Sequence, residues 1–130
     1  MHKTVKNYIS IKKTIDDKLQ DFHPSIVKPK IIAVSKSFSI DQIMPLIQYG
    51  HNEFGENKVQ EAIDKWSKIK VKNTKINLHM VGKLQTNKVK SALSIFEFIH
   101  SLDNEKLAKK ISVEQENIEK KPKLFIQINI

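Results

Sequence analysis

The sequence predicts an α/β fold built on a parallel sheet, and three observations carry that prediction. Short, continuous apolar runs such as "IIAVS" alternate with stretches whose apolar residues recur at three- and four-residue steps. The runs lack the polar alternation of a half-solvated strand and read as strands buried on both faces. The chain also stops on an apolar strand, "KLFIQINI", with no helix after it. A closed (β/α)₈ barrel typically takes about 250 residues. The 130 residues here therefore correspond either to a smaller open sheet or to the first half of a barrel, with right-handed crossovers in both cases.

Each element has its own local reason. Tyr8, Ile11, Ile15, Leu19 and Phe22 fall on one helical face, which predicts an N-terminal helix over about residues 3–22 that stops near Pro24. After the polar connector "HPSIVKPK" comes the first strand, "IIAVS", and then Ile40, Ile43, Met44 and Ile47 at helical spacing. Ser39 is placed to cap that helix and Gly50 to end it. "NEFGEN" reads as a second strand and turn, followed by a helix with the stripe Val59, Ile63 and Trp66. "INLHMVGKL" reads as a third strand and leads to a short helix from about Thr86 into "KVKSAL". "FEFIHSL" reads as a fourth, with Asp103 capping a helix that carries Leu107, Ile111 and Ile118. Pro122 precedes the fifth strand, and nothing linker-like divides the βα units of about residues 30–130, so the whole chain 1–130 reads as one partial barrel domain.

Composition narrows the function. The chain is 39% hydrophobic and 28% charged, ordinary for a folded domain. Its formal charge is +9, but all 23 basic residues are lysine. Without arginine's planar fork, recognition of phosphate and guanine edges is poorly served, so nucleic acid is not expected as a partner and a solvated lysine surface is. There is no cysteine, hence no disulfide or thiol chemistry. No long apolar span or signal-peptide core is present, which makes the cytoplasm the expected location and a membrane role unexpected.

Motifs exclude more. With 3 glycines, neither phosphate-loop signature occurs. His2, His23, His51, His79 and His100 lack metal-ligand spacing, so no metal is expected. No GxSxG elbow offers a serine nucleophile. Among Glu53, Glu56 and Glu61, which could pair as carboxylates, Glu61 reads as a solvated helix residue. What remains is a set of polar residues at the C-terminal ends of the predicted strands, where parallel sheets hold their ligands. Lys36 ends the first, Glu56 and Asn57 follow the second, Gly82 to Asn87 the third and Ser101 the fourth. Lys36 reads either as a solvated boundary or as an amine partly withdrawn from water, able to condense with an aldehyde. Asn57 is either an amide offered to a ligand or a turn residue. His79, among apolar neighbours, is either a satisfied core histidine or a site residue.

"IIAVSK", "FGENKVQEA", "LHMVGKLQTNK" and "IHSLDNEKLAKKI", in this order and spacing, closely resemble the YggS/PROSC family of pyridoxal 5'-phosphate (PLP) homeostasis proteins, and "FIQINI" matches that family's next strand. The resemblance covers the chain from about residue 30 onward. It implies the fold of the N-terminal domain of bacterial alanine racemase, a (β/α)₈ barrel with an extra N-terminal helix, of which this chain is the first half. It further implies that Lys36 carries PLP as a Schiff base, with Asn57 beside the cofactor ring and His79 and Ser101 nearby. The family's phosphate site and its partner for the pyridine nitrogen are expected in the other half, and an open sheet edge is expected to favour self-association.

The function that follows is PLP carriage in vitamin B6 and amino-acid homeostasis, without turnover. A racemase-like enzyme is the alternative; it needs a base on each face of the ring, and only Lys36 is evident. A polyanion-binding module resting on the +9 charge, and a fragment without function of its own, are the remaining readings.

Overall fold

A computed structural model describes residues 1–130. It is an α/β structure with five parallel strands and five α-helices. The chain divides into two compact units, residues 1–31 with 38–51 and residues 32–37 with 52–130.

The first unit holds α1 (Lys3–Leu19) and α2 (Ile40–Tyr49). The predicted N-terminal helix forms but ends three residues early, at Leu19, and Phe22 lies beyond it, exposed. Ser39 and Gln42 close the capping box at the start of α2. Gly50 ends that helix in the left-handed region at φ 104°, a conformation that a Cβ would strain. Tyr8 of α1 meets the rings of Tyr49 and His51 at centroid distances of 5.9 and 4.7 Å. Val5, Ile43 and Leu46 are buried.

The second unit contains the sheet: β1 (Ala33–Val34), β2 (Glu53–Glu56), β3 (Asn77–Met80), β4 (Phe98–Leu102) and β5 (Lys123–Ile126). The spatial order is β1-β2-β3-β4-β5, every pair parallel. Sequential order means that each crossover advances by one strand, with no reversal point of the kind that divides a doubly wound sheet. Between the strands lie α3 (Val59–Lys72), a 3-10 turn (Thr86–Lys88) continued by α4 (Val89–Leu93), and α5 (Glu105–Glu114).

One face of this sheet is dry. Phe54 of β2 packs against Trp66 of α3 at 4.9 Å between centroids, and Phe54, Trp66, Leu78 and Ile99 are fully buried. Lys70 of α3 bonds the Glu97 carboxylate and the Ile95 carbonyl, while Glu97 also accepts from the Leu78 amide at 2.6 Å. The opposite face is only partly covered: Val34 is 50% and Phe125 51% exposed.

The structure corrects several local expectations. "IIAVS" contributes only two ladder residues and is not buried on both faces, because β1 has a single neighbour and Val34 lies on the open side. Asn104, not Asp103, caps α5, its side-chain oxygen accepting from the Leu107 amide at 2.8 Å. Ile118 falls beyond the end of that helix at Glu114. The strand in "KLFIQINI" ends at Ile126.

Two stability measurements follow. Phe54→Ala empties the contact beneath Trp66 and is expected to cost about 3–5 kcal/mol in urea unfolding. Asn104→Ala removes one cap bond and should cost about 1 kcal/mol, with an unchanged denaturant slope.

Candidate functional site

The polar residues at the C-terminal ends of the strands sit where side-chain alternation and register send them. Ser35, following β1, turns its hydroxyl toward the helix side and donates to Glu56 Oε1 at 2.8 Å. Lys36 therefore falls on the other face, which carries Val34, and it is exposed. Val34 pairs with Gly55, Gly55 with His79 and His79 with Phe98. Two residues further along the chain come Lys36, Asn57 and Val81, beyond the ends of β1, β2 and β3, and His100, within β4. Lys36 is not partly withdrawn from water, contrary to one reading of the sequence; its backbone is held, and its amine is not enclosed.

Asn57 is fixed by close approach. A Cβ added to Gly82 would lie 2.6 Å from the Asn57 carbonyl oxygen and 2.8 Å from its Cβ, so only glycine lets the two loops touch. Asn57 also lines an open cleft of about 550 Å³ with Met80, Lys83, Gln85 and Lys88. Lys36, His79 and Ser101 are not among its walls.

His79 is a buried, fully engaged histidine. Its Nε2 meets Glu53 Oε2 at 2.6 Å, its Nδ1 meets His100 Nε2 at 2.8 Å, and its ring stacks on Phe98 at 4.3 Å. The carboxylate can only accept, so Nε2 of His79 donates to it. One proton lies between His79 Nδ1 and His100 Nε2. His100 in turn stacks on Phe125 at 4.5 Å, and Lys123 lies 5.7 Å from the Phe98 ring centre. The result is a row of rings and one carboxylate crossing four adjacent strands. Ser101, beside it on β4, is buried, and its Oγ has no hydrogen-bond partner.

Beneath Lys36, on the helix side, lies a second constellation. Glu56 is completely buried; its Oε1 accepts from Ser35 Oγ, Trp66 Nε1 and Lys65 Nζ at 2.8, 2.9 and 2.8 Å. Lys65 also donates to the Ser35 carbonyl at 2.8 Å and to Glu61 Oε1 at 3.3 Å. Glu61 accepts from the Ser37 amide at 2.8 Å, so it is an anchored residue and not the solvated one its helix position implied. The Ser37 amide, and then Lys65, hold the Glu61 carboxyl below its ordinary range.

Sequence reasoning passed over Lys65, weighed His100 only as a metal ligand and left Glu53 as one of three carboxylates that could pair. The i+2 spacing of His100 from Phe98, and the i+4 spacing of Lys65 from Glu61, were signals available for two of them.

No family model matches the chain. Among curated proteins it is 42% identical over 120 residues to the pyridoxal phosphate homeostasis protein of Buchnera aphidicola subsp. Schizaphis graminum, covering 92% of this chain and 52% of that one. It is 32% identical to the protein of that name from Pasteurella multocida, covering 96% and 54%. Among solved structures it matches PipY of Synechococcus elongatus with PLP bound, at a TM-score of 0.74 and 32% identity, covering 91% of this chain and 54% of PipY. The sequentially wound parallel sheet is thus one shared with a PLP-binding protein. These similarities support the resemblance to the YggS/PROSC family, and the chain spans about half the length of the curated relatives it matches.

Two outcomes test this geometry. Gly82→Ala should shift Asn57, because the obstructing atoms are largely backbone, and cost about 1–3 kcal/mol in thermal or urea unfolding. Partial burial, and then the adjacent His79, push the His100 pKa below its ordinary value. The unfolded chain therefore binds this proton at higher pH than the folded one. His100's contribution to stability is complete above the ordinary histidine pKa and declines as pH falls through that value toward the lower folded one. An NMR titration of the ring should place its midpoint below the ordinary histidine value, and His100→Phe should flatten the slope of stability against pH in this window.

Proposed function

We propose that the chain forms the first five strands of a (β/α)₈ barrel and binds PLP through the amine of Lys36, serving PLP and amino-acid homeostasis and not substrate turnover. The observation that carries this reading is the placement of Lys36 and Asn57 just after β1 and β2, at the C-terminal edge of a parallel sheet, with His100 near the end of β4. Support comes from the strand order, which advances by one neighbour at each step, from the family resemblance, and from PipY with PLP bound.

The residues present fit such a group. PLP supplies an aldehyde that a neutral primary amine attacks, with loss of water. Lys36 offers the amine on an open turn, exposed to solvent. Val34, Gly55 and Val81 give an apolar floor on the same face; a Cβ at Gly55 would lie 3.2 Å from Ile32 and 3.4 Å from Val81, so the floor stays low there. Asn57 presents a neutral amide, held in place by Gly82. His79 acts by fixing the ring of His100 through the 2.8 Å contact between them, while Ser101, next along β4 and so on the other side of the sheet, is buried with its Oγ unpaired.

Incubation with PLP, borohydride reduction and peptide mass mapping should give one stoichiometric adduct, on Lys36, and Lys36→Ala should reduce labelling by at least tenfold. Labelling spread over many of the lysines, or unchanged by the substitution, would sink the reading.

A further inference from the structure

We propose that Glu61 and Lys65 of α3 are positioning residues for Lys36, a role that rests on the reading of Lys36 as the PLP-bearing amine. The Lys36 side chain is exposed, yet the backbone is gripped on both sides of it. On the N-terminal side, Ser35 donates its amide to the Gly55 carbonyl at 2.8 Å and accepts Lys65 Nζ on its own carbonyl at 2.8 Å. On the C-terminal side, the Ser37 amide donates to Glu61 Oε1 at 2.8 Å. Ser37 sits at φ 65°, a left-handed conformation that a non-glycine residue adopts only when its surroundings hold it there. Lys36 is thus the middle residue of a turn whose two flanking peptides are tied to one helix.

The tie is unusually complete. The Lys65 ammonium has three N–H donors, and three oxygens surround it: the Ser35 carbonyl, Glu56 Oε1 and Glu61 Oε1, at 2.8, 2.8 and 3.3 Å. Its side chain is 9% exposed and that of Glu56 is fully buried. So dry an ion pair is a poor source of net stability compared with apolar packing, and its best use is to fix one geometry among several. What it fixes here is the turn that carries Lys36. An amine on a long flexible stem gains from a rigid backbone, since a shift of about 1 Å at the root can cost orders of magnitude in productive encounters.

The test compares the whole chain with Glu61→Ala, Glu61→Gln and Lys36→Ala. Lys65→Met is the obvious variant, but it strands the Glu56 carboxylate and is expected to fail to fold. Glu61 is 31% exposed, and glutamine keeps an acceptor for the Ser37 amide. Hydrogen exchange without cofactor should show Ser37 protected in the parent and in Glu61→Gln, and exchanging at least tenfold faster in Glu61→Ala. Borohydride trapping of PLP at Lys36 should fall about tenfold in Glu61→Ala and recover in Glu61→Gln. If Glu61→Ala loses Ser37 protection but traps PLP like the parent, the two residues only stabilise the turn and the proposal is overturned. A Ser37 amide unprotected in the parent overturns it as well. Unchanged trapping in Lys36→Ala instead overturns the assignment of Lys36, and with it the purpose of the brace.

Discussion

The rest of the sheet unit depends on one buried carboxylate. Glu56 ends β2 with no exposed surface, and a charge in that position is tolerable only while several donors face it. Ser35, Lys65 and Trp66 supply them. These three come from the turn after β1 and from α3 and all converge on Oε1, Oε2 being buried without a partner, so the bonds to one carboxylate oxygen tie together the first strand, the second strand and the intervening helix. The Phe54–Trp66 contact adds apolar area, but it is the carboxylate that makes the arrangement specific, since hydrophobic packing alone tolerates small slips that a buried charge does not.

The two faces of the sheet divide the work. The helix side holds the apolar core and the Glu56 network, and it is built to stay fixed. The other face holds Val34, Gly55, His79, Phe98 and Phe125, partly open, with the imidazoles of His79 and His100 linked to Glu53. Because successive side chains alternate, Ser35 can be locked into the first face while Lys36 emerges on the second. Rigidity is thus generated on one side of the backbone and used on the other.

The histidine pair illustrates how neighbouring strands define a single chemical object. His79 is saturated: both ring nitrogens and one ring face are occupied. Its partner His100 is partly accessible, with a pKa lowered by partial burial and by His79. His100 therefore holds its proton less firmly than an ordinary histidine. It also gives this region a sensitivity to mild acid that its lysines do not have.

By itself the sequence determined the succession of strands and helices, the cap at Ser39, the stop at Gly50 and the gathering of Lys36, Asn57 and Ser101 at strand ends, because these follow from local spacing and from the chirality of βα units. The family resemblance was legible too, and the relatives bear it out. What only the tertiary structure decided is which polar groups meet. Glu61, which helix periodicity leaves in solvent, anchors Ser37; Lys65, one lysine among many, is almost enclosed; His79 and His100, 21 residues apart, share a proton. Each of those outcomes depends on contacts between distant segments whose register is set by packing, and a one-dimensional pattern encodes the faces of its elements but not the partners those faces find.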